Sequence, residues 1–361
     1  MRALYAGLLL ILAGTCAAQS DPAPFATVEG DHLVRDFHFA SGAALAELRL
    51  HYTTLGQPQR DANGQVQNAV LILHGTGGDA HQFLNARFAG ELFGPGQPLD
   101  VAKYYVILPD GIGHGKSSKP SDGARARFPE YAYADMVAAQ HLLLTAGLGV
   151  DHLRLLIGTS MGCMHGFLWG ERFPEFMDAL MPLACLPVQI AGRNRMWRRM
   201  IIDAIREDPA WAGGDYREQP RNALRTASDI LLLVGSAPLP TQAAYPTRDG
   251  ADQRVTEYTA ASLAALDAND LLYQVCASRD YDPSTHLGAI VAPTLWINSA
   301  DDFINPPELG IAEVQAPRLP HGRFVLLPIS ERSHGHGTHT WAVAWKSELM
   351  ALLAATERST R

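Results

Sequence analysis

Residues 153–174, LRLLIGTSMGCMHGFLWGERFP, decide how the rest of the chain is read. The stretch opens on a short apolar run, Leu153, Leu155, Leu156 and Ile157, which predicts a buried strand. Gly158-Thr159-Ser160-Met161-Gly162 follows, a G-x-S-x-G. Met164, Phe167, Leu168 and Phe173 then recur at helical spacing up to Pro174. Strand, sharp turn and helix are the context in which G-x-S-x-G marks a nucleophile elbow. A serine on so tight a turn holds strained backbone, and Gly158 and Gly162 leave room for strand and helix to approach. The turn lifts the Ser160 hydroxyl out of the fold. It also aims the free N–H groups at the start of the helix toward the reacting centre. The pentapeptide alone would equally suit an ordinary strand–helix turn; its flanks give it weight.

Outward from this stretch, strands and helices alternate. Residues 25–52 show strand character with one wet face, as in Leu48-Arg49-Leu50-His51-Tyr52. Ala69-Val70-Leu71-Ile72-Leu73 and Tyr104-Tyr105-Val106-Ile107-Leu108 are unbroken apolar runs, as expected of parallel strands buried on both faces. Residues 133–146 read as a helix, 179–186 as a further strand, and 293–298 and 323–327 as late strands before a final helix over 340–355. The pattern predicts an open, mostly parallel sheet with helices on both faces. It breaks between 187 and 284. There Trp197, Met200, Ile201, Ala204 and Ile205 form an amphipathic helical pattern, followed by further helices and turns. This segment is expected to be a helical insertion over the sheet, a lid. With Met200, Trp211 and Tyr216, Trp197 is expected to wall an apolar acyl pocket.

The chain of 361 residues exceeds the usual size of a single domain, roughly 150 residues. A content of 47% hydrophobic and 18% charged residues describes a globular protein with ample core. A net charge of −8 and a pI near 5.9, with no basic stripe, argue against nucleic acid as a partner. The N-terminus reads as a secretory signal over 1–18: Arg2, then an apolar run over 4–13, then small residues at Cys16-Ala17-Ala18. The run is too short for a comfortable membrane span. The expected organisation is thus a signal at 1–18, a first core part at 19–186, the lid at 187–284 and a second core part at 285–361. A periplasmic or secreted protein without stable membrane insertion is expected. Export leaves Cys163, Cys185 and Cys276 for at most one internal bridge. Cys163 is expected as buried packing, with Cys185 and Cys276 open to pairing.

A serine hydroxyl needs a base within hydrogen-bond reach, and the base needs an orienting carboxylate. In an open α/β sheet such groups collect at the carboxyl ends of strands. After the strand at 293–298 come Ser299-Ala300-Asp301-Asp302, and after the strand at 323–327 come His334, His336 and His339. The order nucleophile, acid, base is the one expected after an elbow. One aspartate and one histidine complete a triad with Ser160; the others have ordinary roles in turns and packing. The oxyanion needs two N–H donors. Met161, just after the nucleophile, supplies one. Thr76, in the glycine-rich loop His74-Gly75-Thr76-Gly77-Gly78, is the expected second. A zinc site built from the histidines would leave the elbow unexplained and lacks H-E-x-x-H. The phosphate-loop pattern ending at Gly115-Lys116-Ser117 fails, because Asp110 stands where a glycine is required.

With these pieces placed, the chain resembles the α/β-hydrolase superfamily, and within it the homoserine O-acetyltransferase-related branch. The resemblance rests on Gly94-Pro95-Gly96 with Leu99-Asp100, on the elbow followed by Met164, and on Asp208-Pro209 with Trp211, Gly214, Asp215 and Tyr216. Asp267-Ala268-Asn269 with Asp280-Tyr281, and Asp302 leading into Pro306-Pro307, add to it. It implies an α/β-hydrolase fold with a helical lid and a triad of Ser160, Asp302 and His336. Two positions depart from the family: Cys163 replaces a second glycine, and Ile202 stands where a substrate-binding arginine is usual, with Arg198 and Arg199 close by. Acetyl-CoA is not expected outside the cytoplasm, so biosynthetic acetylation is disfavoured. The expectation is an exported serine hydrolase acting on a small-molecule ester or related acyl substrate, with no cofactor and no metal. Acyl transfer to an alcohol or amine is the rival, an inactive binding protein the alternative of another class. A homodimer through the lid is open.

Overall fold

Ala69–Leu73 (β3), Tyr105–Pro109 (β4) and Leu155–Thr159 (β5) are buried at every position. Successive side chains along a strand point to opposite faces, so such runs need an apolar layer on each side. The cores divide accordingly. Leu71, Ile107 and Leu156 join one apolar cluster, and Val70, Ile72, Val106, Leu155 and Ile157 join the other. The computed structural model describes residues 25–357; the expected signal at 1–18 lies outside them. Among the described residues no helix is long and apolar enough to cross a membrane.

These strands lie in an eight-stranded sheet with Val28–His38 (β1), Ala44–Leu55 (β2), Leu180–Leu183 (β6), Thr294–Ser299 (β7) and Gly322–Leu327 (β8). The order is β1-β2-β4-β3-β5-β6-β7-β8. β1 and β2 form an antiparallel hairpin, β2 runs antiparallel to β4, and every other pairing is parallel. The first cluster is covered by Tyr133–Leu142 (α2) and Met161–Arg172 (α3). The second is covered by Ala89–Leu92 (α1) and Lys346–Ala355 (α10).

Between β6 and β7 the chain runs through Gly192–Glu207 (α4), Arg221–Gly235 (α5), Pro238–Ala244 (α6), Arg248–Ala265 (α7) and Ala268–Cys276 (α8). Trp197, Ile201 and Ile205 of α4 meet Leu224 and Ala227 of α5 and Leu271, Leu272 and Val275 of α8 in an apolar cluster of their own. A short helix, Ile311–Gln315 (α9), precedes β8.

Two expectations change here. The final helix begins at Lys346 rather than near 340, because residues 337–344 form short 3-10 turns instead. His334 stacks on Trp341 with ring centroids 3.7 Å apart, and Ala342 N–H donates to Arg87 C=O at 3.1 Å, which ties this segment to the body of the fold. The cysteines also pair differently: Cys163 bonds Cys185, and Cys276 is free. The cause is register. β5 and β6 are parallel neighbours with Thr159 opposite Leu183, so the first turn of α3 lies beside the residue two past β6, with a Cα–Cα separation of 5.8 Å. Cys276 ends α8, in the helical segment away from that turn.

Candidate active site

Ser160 lies at the junction of β5 and α3 with φ 54 and ψ −109, backbone that a side-chain-bearing residue adopts only under constraint. The constraint is visible at the glycines. A Cβ on Gly158 would stand 2.0 Å from the Gly162 carbonyl oxygen, and one on Gly162 2.2 Å from that of Leu73. Only glycine lets strand and helix approach this closely.

The Ser160 Oγ lies 2.7 Å from His336 Nε2, and His336 Nδ1 lies 2.9 Å from Asp302 Oδ2. Ser160 follows β5, Asp302 follows β7 and His336 is in the loop after β8, so parallel strands deliver all of them at the carboxyl end of the sheet. The Asp302 side chain is fully shielded from solvent. Its Oδ1 accepts the Ile304 N–H at 2.8 Å, and its Oδ2 accepts the Asn305 side-chain amide at 2.9 Å. Burial pushes the Asp302 carboxyl upward. The adjoining His336 ring and these donors outweigh that and hold it below its ordinary value. Ionised Asp302 therefore fixes the proton on His336 Nδ1 and leaves Nε2 to accept from the serine.

The neighbouring candidates have other work. Asp301 accepts the Gly335 N–H at 3.0 Å and the Ser299 hydroxyl, which anchors the histidine loop. His334 lies against Trp341. His339 packs edge-on against His336 at 5.2 Å, and burial pushes its pKa down to about 3, so it sits neutral beside that ring. The histidines thus face different partners instead of one centre.

Thr76 lies in the loop after β3. Met161 opens α3, where backbone N–H groups lack intrahelical acceptors. Neither N–H has an acceptor among the described residues. The loop is pressed onto Ser160: a Cβ on Gly75 would stand 3.3 Å from Ser160 Cβ. His74, buried, braces it by accepting the Gly111 N–H on Nε2 at 2.9 Å and donating from Nδ1 to the Gly75 carbonyl at 2.8 Å. Gln82 Oε1 accepts the Gly75 N–H at 3.3 Å, and its amide donates to Thr159 Oγ1 at 3.2 Å. His74, Gln82 and Asn305 were not singled out in the sequence. Only His74 carried a signal, as the histidine at the head of the glycine-rich loop.

Ser160, His336 and Thr76 open on a cavity of about 2200 Å³ between the carboxyl end of the sheet and the helical segment. Of the four residues expected to wall it, Trp197 does so and the others do not. Met200 lies on the outer face of α4 and is 56% exposed. Trp211 donates to Asn269 Oδ1 at 2.8 Å, and Tyr216 donates to Asp267 Oδ1 at 2.7 Å, so both fasten the start of α8. Arg198 faces the cavity although it is only 3% exposed. Its Nε donates to Asn194 and its Nη1 to Ser278, and no carboxylate pairs with it among the described residues.

A family model described as alpha/beta hydrolase fold matches residues 68–332. The chain belongs to the α/β-hydrolase family. Within it the chain falls in the homoserine O-acetyltransferase-related branch. It is 31% identical to a probable acyltransferase of Methanothermobacter thermautotrophicus, over 83% of this chain and 90% of that one. It is 32% identical to a homoserine O-acetyltransferase of Moorella thermoacetica, over 75% and 80% of the two chains. Among solved structures, an acetylester hydrolase from Corynebacterium glutamicum superposes with a TM-score of 0.79 at 20% identity, covering 91% of this chain and 96% of that one; this likeness shows the fold. The chain is an enzyme of this superfamily, of the esterase or acyltransferase kind.

Proposed function

We propose that this α/β-hydrolase is an exported serine hydrolase that cleaves a carboxylic ester through an acyl-enzyme. The observation that carries the proposal is the hydrogen-bonded chain from Ser160 through His336 to buried Asp302, at the mouth of a large cavity. Ser160 attacks the ester carbonyl as His336 Nε2 takes its proton. The Met161 and Thr76 N–H groups hold the oxyanion, a contribution on the order of 100–1,000-fold in rate per donor. His336 then protonates the leaving alcohol. Water, activated by the same histidine, releases the acid and restores Ser160. No cofactor or metal enters these steps. The buried Cys163–Cys185 bond supports export, since such bonds persist in oxidising compartments. A homodimer through the lid belongs to the same proposal: Leu233, Leu239 and Val255 are 64%, 63% and 45% exposed on α5, α6 and α7.

Acyl transfer to an alcohol or amine is the second reading. The names of the curated relatives favour it, and so does Arg198, whose buried guanidinium suits an anionic group on an acceptor. A panel of p-nitrophenyl esters from acetate to octanoate, run with and without an alcohol acceptor, separates the readings. Steady turnover in buffer that Ser160→Ala abolishes supports hydrolysis. A single-equivalent burst that proceeds only with acceptor supports transfer. No burst and no turnover with any ester would leave the binding-protein alternative.

A further inference from the structure

The disulfide joins the two halves of the site. Cys163 lies in the first turn of α3, three residues after Ser160, and Cys185 lies two residues after β6. Both are buried, at 0% and 2% exposure. The Cys185 segment is held on its far side by β7. Cys185 N–H donates to Asn298 Oδ1 at 3.2 Å, and its carbonyl accepts from Trp296 Nε1 at 2.9 Å and Asn298 Nδ2 at 3.1 Å. The preceding residue, Ala184, is turned to φ 65, and its carbonyl accepts from Asn305 Nδ2 at 3.0 Å. The same amide nitrogen donates to Asp302 Oδ2 at 2.9 Å, the oxygen that receives His336. The connections therefore close on themselves. They run from Ser160 along α3 to Cys163, across the disulfide to Cys185 and Ala184, through Asn305 to Asp302, and through His336 back to Ser160.

We propose that the Cys163–Cys185 disulfide and Asn305 are positioning residues that hold Asp302 and His336 in register with the Ser160 elbow. The proposal rests on the serine mechanism above. Addition of Oγ to a carbonyl requires Oγ, the imidazole and the carboxylate to be held together, and small displacements of such groups are costly in rate. The elbow and the acid come from different strands, with β6 between β5 and β7. The Ser160 N–H donates to the Leu183 carbonyl at 2.8 Å, a hydrogen-bonded link between the elbow and the end of β6. The disulfide makes that link covalent. Asn305 carries it the remaining step, because its two amide hydrogens reach the Ala184 carbonyl and the Asp302 carboxylate together.

The test compares the wild type with Cys163→Ala/Cys185→Ala, with Asn305→Ala and with all three substitutions combined, well below their melting temperatures. The readouts are kcat and KM on an ester the wild type hydrolyses, and the rate at which a fluorophosphonate labels Ser160. The expected result is a kcat and a labelling rate about tenfold lower in the double-cysteine and Asn305→Ala variants, with KM within about twofold, and a combined variant little worse than either. A disulfide that only stabilises the fold would lower the melting temperature and leave kcat and labelling unchanged. That outcome, or fully additive losses, overturns the proposal. Should the double variant fail to fold, wild type reduced by a phosphine to a confirmed count of free thiols replaces it; unchanged labelling then overturns the proposal. A wild type that is labelled but turns over no ester would refute the hydrolase reading while labelling still decides this one.

Discussion

At the residue scale, the assignments that the chain order left open are decided by partners. Asp302 and Asp301 are adjacent, yet Asp302 faces His336 and Asp301 faces the backbone of Gly335. Asp302→Asn would place an amide where His336 Nδ1–H must donate, favouring the wrong tautomer. The expected cost is about 10³–10⁴-fold in kcat with the fold intact, read from ester turnover beside circular dichroism. A loss of less than tenfold would mean that another group orients His336. His336 needed the resemblance to be chosen over His334 and His339 in the sequence, because three histidines within six positions look alike there. What separates them is the ring each one meets, a tertiary fact.

At the element scale, the elbow was legible because its signal is local: an apolar run, two glycines flanking Ser160 and a helical pattern. Close approach of β5, α3 and β3 makes those glycines obligatory. Gly162→Ala would drive a methyl into the Leu73 carbonyl, and Gly158→Ala into that of Gly162. Each is expected to lower stability by more than about 2 kcal/mol, seen as a melting temperature several degrees lower or as loss of soluble protein. A Gly162→Ala variant that melts with the wild type would show that the turn is looser than described. α4 was legible as an amphipathic helix, but the use of its face was not. Trp197 faces the cavity and Met200 faces solvent, although a helical pattern places both among the large apolar residues of that segment.

At the scale of the whole molecule, His74, His114 and His165 are buried beneath the site. Burial pushes all three pKa values down, to about 3 for His165 and well below the ordinary value for His114. A folded pKa below the unfolded value of 6.5 means that the unfolded chain takes up protons first. Stability is therefore full above the unfolded value and falls as the pH drops toward the folded ones, by up to about 1.4 kcal/mol per pH unit per histidine. Melting temperature should decline steadily from pH 7 to pH 5, and His165→Leu should flatten the slope. A flat profile in the wild type would refute this. The exposed leucines of α5 and α6 make a second prediction at this scale. Sedimentation should show a dimer at micromolar concentration that Leu239→Glu disrupts. A monomeric wild type would end the dimer proposal.

By itself the sequence determined the sheet, the helices that cover it, the elbow and the order in which Ser160, the aspartates and the histidines follow the strand ends. All of these are written in hydrophobic periodicity, in the glycines two positions to either side of Ser160 and in the sequence of strand ends. Only the tertiary structure decided that Cys163 bonds Cys185, that Asn305 bridges the Ala184 loop to Asp302, and that Arg198 rather than Trp211 or Tyr216 faces the cavity. These depend on contacts between residues far apart in the chain, set by which strands lie side by side and in what register. No local pattern records that information.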